Sequence, residues 1–220
     1  MVFGTRQKLK SKPNVVIKCK DGTSLHKVDS FKYLGVWLDS ELSFKLRIKH
    51  VIQKVNYGIG VLHRSRNCFT LSVRKRIAFQ LILPIMDYCD VVYQNAHKSD
   101  LAPLNIAYNR ICRCVLGCPF RTHHCTMYNQ LKWPSLNVRR HTHWLQLIFK
   151  CIYLNYPPYL KQYFVPYSPN HQVRHSVQNT LPAAIRSLAS LGMFKHHLTF
   201  NWCLSNCNDC NDCMYYLNFT

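Results

Sequence analysis

The sequence predicts a mostly helical α+β fold, in which a small antiparallel sheet at the N-terminus precedes a series of helices. Residues 1–38 alternate short β-branched or aromatic runs with turn residues, and Asp21-Gly22 is typical of a tight hairpin. From Ser43 onward, apolar residues recur every three or four positions, which is the period of an amphipathic helix. With 48% hydrophobic and 13% aromatic residues, the 220-residue chain has enough apolar material for a buried core.

Four runs in the first 38 residues predict strands: Val2-Phe3, Val15 to Ile17, Leu25 to Val28 and Phe31 to Leu38. The first run has no evident partner, so we expect an open sheet edge where further strands would pair. Phe31, Tyr33 and Trp37 alternate along the last run. This alternation favours aromatic side chains buried on one face of the sheet, with stacking on nucleic-acid bases as the alternative.

The first helix is predicted from the apolar positions between Phe44 and Leu62, with Ser43 as a candidate N-cap. Its lysines fall off the apolar stripe, so this helix has a basic outer side. Further helices are predicted at about 71–86, 101–116, 123–131, 136–155 and 182–199.

The charge of the chain is strongly positive. Twenty-nine Lys and Arg face nine Asp and Glu, for a formal charge of +20, and residues 1–76 contain the larger share of the excess. Such a surplus favours a polyanionic partner, because each cation that neutralises a phosphate releases a condensed counterion. The alternative is a basic but merely solvated surface.

The chain contains twelve cysteines, but its N-terminus lacks the apolar core of a signal peptide. We therefore expect a reduced intracellular compartment, the cytoplasm or the nucleus, rather than secretion. The longest apolar run, Ile77 to Cys89, is interrupted by polar residues and is too short to span a bilayer, so we expect no membrane anchor. No small-molecule substrate is evident, and the oligomeric state stays open.

The sequence contains two clusters of cysteines that are candidates for metal sites. The C-terminal cluster has the spacing C-x3-C-x2-C-x2-C, which is tight for tetrahedral zinc, and its members are Cys203, Cys207, Cys210 and Cys213. The second cluster comprises Cys112, Cys114, Cys118, His123, His124 and Cys125. Because Cys112 and Cys114 are two apart on a predicted helix and point in different directions, we expect a structural role there. We expect no bound metal and no cofactor in this chain.

Catalytic residues are not evident either. No Asp-Asp pair occurs in the sequence, and a two-metal polymerase or nuclease site needs several carboxylates that converge on one pair of ions. We expect no active site.

The run Phe31-Lys32-Tyr33-Leu34-Gly35, continued to Asp39, resembles the turn that leaves the palm of a LINE-type (non-LTR) retrotransposon reverse transcriptase. Later segments resemble the same C-terminal region in the same order: Leu83 to Tyr93, Asn109 to Arg113, Trp133 to Leu136, Pro157 to Leu160 and Leu181 to Arg186. The last segment departs from the family, which usually has Trp-Asn before Leu-Pro where this chain has Asn179-Thr180.

This resemblance implies four regions. Residues 1–40 would be palm-edge strands with a primer-grip-like hairpin, 41–97 a helical thumb-like region, 98–200 a helical connection region, and 201–220 a cysteine-rich, disordered tail. In the family, the polymerising carboxylates and their magnesium lie upstream of the turn. We therefore expect the downstream part of an RNA-directed DNA polymerase, which cannot polymerise alone.

The resemblance also implies functional residues. The primer-grip-like residues are Phe31, Lys32, Tyr33, Leu34 and Gly35. The candidate contacts to RNA, DNA or an RNA–DNA hybrid are Lys45, Lys49, Lys54, Arg64, Arg66, Arg74, Lys75 and Arg76. Two alternatives stay open: a non-enzymatic basic nucleic-acid-binding module, with or without zinc, and a decayed open reading frame without function.

Overall fold

The computed structural model describes residues 1–11, 18–161 and 192–193. Helices dominate these residues, and a two-stranded antiparallel sheet near the N-terminus precedes most of them, so the predicted fold class is confirmed. The chain divides into two compact units, Met1–Gly117 and Cys118–Thr220. No helix in the described part of the chain is long and apolar enough to cross a membrane.

The sheet is a hairpin of strands β1 (Ser30–Tyr33) and β2 (Val36–Asp39), joined by Leu34 and Gly35. Both turn residues have positive φ, 46° and 80°, which matches the two-residue turn that the twist of an antiparallel pair favours. The expectation of one continuous strand from Phe31 to Leu38 is therefore wrong. Glycine at the second turn position adopts this conformation without steric cost.

The expected placement of the aromatic residues is also wrong. Phe31 and Tyr33 are 54% and 59% exposed. Trp37 is the cross-strand partner of Lys32, so it lies on the opposite face of the hairpin, where its ring stacks on His50 at 5.2 Å. The sheet packs against the following helix mainly through β2, which leaves the aromatic residues of β1 uncovered.

Of the other predicted strands, Val2-Phe3 and Leu25 to Val28 are not assigned as strands in the described part of the chain. The Asp21-Gly22 turn is confirmed, because the Gly22 N–H donates to the Cys19 carbonyl at 3.0 Å and Gly22 has a φ of 83°. Lys18 and Ser24 form an isolated antiparallel bridge beside this turn, and the Gly4 N–H donates to the Ser40 carbonyl at 3.1 Å. Val15 to Ile17 lies outside the described residues.

The helices of the first unit are α1 (Arg6–Ser11), α2 (Lys45–Arg64), α3 (Leu71–Ile77), α4 (Leu83–Asp87) and α5 (Lys98–Leu116). The predicted helix at 71–86 is interrupted by a π-helical segment, Ala78–Ile82, just before Pro84, which has no N–H to donate to an earlier carbonyl. The core of this unit contains fully buried side chains from α2, α4 and α5, among them Val55, Leu83 and Ile111.

The second unit contains α6 (His124–Leu131), α7 (Leu136–Tyr153) and α8 (Pro158–Lys161). The predictions at 123–131 and 136–155 are confirmed to within two residues. Ser135 caps α7 by accepting a hydrogen bond from the Val138 N–H at 3.3 Å. Of the helix predicted at 182–199, only residues 192–193 are described, and they are helical, while the tail at 201–220 lies outside the described residues.

Candidate nucleic-acid interface

Arg47, a residue of α2, attaches the hairpin turn to that helix through hydrogen bonds. Its Nη1 donates to the Gly35 carbonyl at 3.3 Å and its Nη2 donates to the Tyr88 carbonyl at 2.8 Å. The guanidinium also lies 5.6 Å from the centroid of the Tyr88 ring. Arg47 is only 6% exposed, and a buried cation needs such acceptors to offset the loss of water.

Tyr88 also holds the turn, through its hydroxyl group. Its hydroxyl donates to the Leu34 carbonyl at 2.7 Å, so both carbonyls of the turn accept hydrogen bonds from side chains. A Cβ built on Gly35 would lie 3.4 Å from Tyr88 Cε1, which shows how closely the two segments approach. Two sequence segments more than forty residues apart therefore form one folded element.

The start of α2 is fixed by Asp39, the last residue of β2. Its two carboxylate oxygens accept hydrogen bonds from the Ser43 and Phe44 N–H groups, both at 2.9 Å. Burial raises the pKa of Asp39, but the hydrogen bonds from Ser43 and Phe44 outweigh burial and leave the pKa below its ordinary value. Ser43 was predicted as the N-cap, but the N-cap is Phe44, in a left-handed conformation with no side-chain cap.

The primer-grip-like residues all project from the surface. Each of Phe31, Lys32, Tyr33, Leu34 and Gly35 is exposed, and Leu34, at the tip of the turn, is exposed to 74%. The turn is thus held by side-chain hydrogen bonds to both of its carbonyls, and its side chains are exposed to solvent.

Four of the candidate basic residues lie on α2, and all are exposed: Lys45, Lys49, Lys54 and Arg64. Lys45 and Lys49 are four apart and share a side of the helix, while Lys54 lies about 140° further round. Lys45 Nζ also lies 4.0 Å from Asp100 Oδ1, in an ion pair between an exposed lysine and a half-buried aspartate.

The other candidates lie beyond the C-terminal end of α2. Arg66 and Arg76 are exposed, and Arg74 and Lys75 are half-buried. Arg66 and Arg74 both act on Cys114: burial raises the pKa of this thiol, and the positive charges of the two arginines oppose that rise.

The eight candidates do not form one compact patch. Lys45 and Lys49 lie at the beginning of α2, near the hairpin, and Arg64 lies at its opposite end. Between these ends, the outward side of the helix also contains Tyr57, which is 74% exposed. The cations are distributed along the helix axis, which suits contact with successive phosphates more than with a single small anion.

The sequence does not identify Arg47 or Tyr88, the two residues whose side chains hold the turn. Arg47 occupies a position three residues after Phe44 and four before Val51, which places it on the apolar stripe of α2. A charged residue on a buried stripe is a signal that could have identified it. Tyr88 lies in the Leu83 to Tyr93 segment that carries the family resemblance. No local pattern predicts its hydrogen bond to the turn.

The cysteine clusters are only partly described. Cys112 and Cys114 are buried in α5, and Cys203, Cys207, Cys210 and Cys213 lie outside the described residues. In the second unit, one ligand atom from each of His123, His124 and Cys125 lies within 4.8 Å of the others.

Comparison with known proteins points to a reverse-transcriptase-related chain, since the chain is similar to an RNA-directed DNA polymerase of a transposon. This relative is "Probable RNA-directed DNA polymerase from transposon BS" of Drosophila melanogaster, which is 25% identical over 128 residues. The match covers 56% of this chain and 14% of that protein, so the chain corresponds to a small part of the relative's length. No protein-family model matches the chain, and no solved structure matches it.

Proposed function

We propose that this chain is the thumb-like, nucleic-acid-contacting part of a LINE-type non-LTR retrotransposon reverse transcriptase. The observation that carries the proposal is the attachment of the Leu34–Gly35 turn to α2 through Arg47. The turn that resembles a primer grip and the helix with the basic outer side are thereby parts of one rigid element. The similarity to a transposon RNA-directed DNA polymerase supports the same assignment.

The chemistry of this element suits recognition of backbone and shape. Lys45 and Lys49 are exposed close to the start of α2, and Lys32 is exposed on the hairpin. Lysine side chains act as mobile point charges, so they attract phosphates without reading the bases. The partner we propose is RNA, DNA or an RNA–DNA hybrid, in the cytoplasm or the nucleus, bound with little dependence on base sequence.

We propose no catalytic residue in this chain. In the intact polymerase, the carboxylates and the magnesium would come from outside these 220 residues. The purified chain should therefore fail to extend a primer on an RNA template in the presence of magnesium. Incorporation of nucleotides above the level of a preparation from an empty vector would contradict the assignment.

Binding is tested by titrating a fluorescent RNA–DNA hybrid at several salt concentrations. The affinity should fall steeply as salt rises, and the variant Lys45→Glu/Lys49→Glu should reduce the slope of log affinity against log salt by about 1.4 to 1.8, the value for two lost phosphate contacts. The matched control, Arg121→Glu/Lys161→Glu, makes the same change in charge at two exposed positions of the second unit. Equal losses in the two variants would reject α2 as the contact surface.

A further inference from the structure

The start of α6 brings two imidazoles and a thiol together. His123 precedes the helix as its N-cap, and His124 and Cys125 are its first two residues. Their ligand atoms lie within 4.8 Å of one another. Of the three residues, His123 is exposed, His124 is half-buried and Cys125 is buried, so the group extends from the surface into the protein.

Local structure explains why neighbours in sequence converge here. The extended backbone of the N-cap turns the His123 ring over the first helical turn, where Nδ1 accepts a hydrogen bond from the Cys125 N–H at 3.4 Å. The His124 ring lies 4.2 Å from the His123 ring and 5.6 Å from the Tyr128 ring, which fix it beside the cap. Within a regular helix, three consecutive side chains would point in different directions.

We propose that His123, His124 and Cys125 form a zinc site with two imidazole ligands and one thiolate. This donor set suits zinc, because borderline and soft ligands favour Zn²⁺ over hard cations such as Mg²⁺. A water molecule would supply the fourth ligand. On binding, the Cys125 thiol releases its proton to solvent and the sulfur forms the metal bond.

The geometry requires only a small adjustment. Zinc bonds of about 2.0 to 2.3 Å place neighbouring ligand atoms roughly 3.3 to 3.8 Å apart in a tetrahedron, so the donor atoms must move inward by about 1 Å. The exposed His123 side chain can make this movement by rotation about its side-chain bonds. If His123 binds through Nδ1, the metal bond replaces the long hydrogen bond from Cys125, a loss on the order of 1 kcal/mol.

The same contacts also fit an alternative without metal, in which His123 caps α6 and the Cys125 side chain packs in the buried core. The variant His123→Asn separates the two roles, because asparagine is a good N-cap but is a poor zinc ligand. The three residues belong to the second unit, whereas α2 and its basic side chains belong to the first. The test of the metal therefore does not depend on whether the chain binds nucleic acid.

The experiment titrates the purified full chain with Co²⁺ and then displaces Co²⁺ with Zn²⁺. The expected result is about one Co²⁺ per chain with a thiolate-to-metal charge-transfer band, which Cys125→Ala abolishes and which His123→Asn abolishes without lowering Tm. The control variant Cys207→Ser/Cys210→Ser should retain the band. The proposal is overturned if the band is absent from the unsubstituted chain, persists in Cys125→Ala or His123→Asn, or disappears in the control.

Discussion

Arg47 and Lys49 lie two residues apart on α2, and their surroundings differ completely. Arg47 is 6% exposed and donates hydrogen bonds to the carbonyls of Gly35 and Tyr88. Lys49 is exposed on the outer side of the helix. One positive charge is therefore used inside the protein to hold a turn, and the other is accessible to a polyanion. Formal charge counts both residues equally, so net charge overstates the part of the surface that can bind phosphate.

Replacing Arg47 should produce the largest change in stability. In Arg47→Met the apolar stem is retained but the Gly35 and Tyr88 carbonyls lose their donors, so we expect a loss of about 2 to 4 kcal/mol in the free energy of unfolding. The matched variant Lys49→Met should change stability by less than about 0.5 kcal/mol and should weaken hybrid binding. Denaturant unfolding of both variants measures the difference. Similar stabilities would show that Arg47 does not hold the turn.

Substitution in the turn should have an intermediate effect. Gly35→Ala places a Cβ at a φ of 80° and 3.4 Å from the Tyr88 ring, so we expect a loss of about 1 to 2 kcal/mol. Tyr88→Phe removes only the hydroxyl bond to Leu34, for which we expect about 0.5 to 1 kcal/mol. Thermal unfolding of the two single variants and the double variant measures these values. Strictly additive losses would indicate that the turn and Tyr88 do not act as one element.

Substitution of Asp39 should have a modest effect on stability, and this effect should depend on pH. Because its pKa is lowered in the folded chain, its stabilisation is present above the ordinary value of 3.8 and is lost as the pH falls through the lowered folded value. We expect Asp39→Asn to cost about 1 kcal/mol at pH 7, and the difference from the unsubstituted chain to shrink below pH 4. Stability measured from pH 3 to pH 7 tests this. A constant difference across that range would show that the ionised carboxylate does not stabilise the fold through its hydrogen bonds from Ser43 and Phe44.

The helices could be predicted because their signals are local. Apolar residues at three- and four-residue spacing located α2, α5 and α7 within a few positions. The strands could not be predicted as well, because pairing depends on residues distant in sequence. Phe31 to Leu38 has the alternation of one strand, and only the positive φ at Leu34 and Gly35 divides it into two.

The residues of the candidate site, like the elements of the fold, could be predicted only in part. The sequence predicted exposed side chains at Lys45, Lys49 and Lys54, because these residues fall outside the apolar stripe of α2. It did not identify the hydrogen bond from Tyr88 to the turn, since nothing near residue 88 indicates which backbone carbonyl its hydroxyl will reach. The convergence of His123, His124 and Cys125 depends on where α6 begins, and the helix boundary is the least certain part of any sequence prediction.

Helix α2 is anchored at several points along its length. Asp39 holds its first turn, and a Cβ added at Gly58 would lie 3.2 Å from Ile82 Cγ1, so the helix packs tightly against the π-helical segment near its middle. From Lys45 to Arg64 the axis extends about 28 Å, since each residue adds about 1.5 Å. A B-form duplex rises about 3.4 Å per base pair, so a duplex bound along α2 as proposed would have about eight base pairs between the contacts at Lys45 and Arg64. The length of the helix therefore sets the spacing between these two residues.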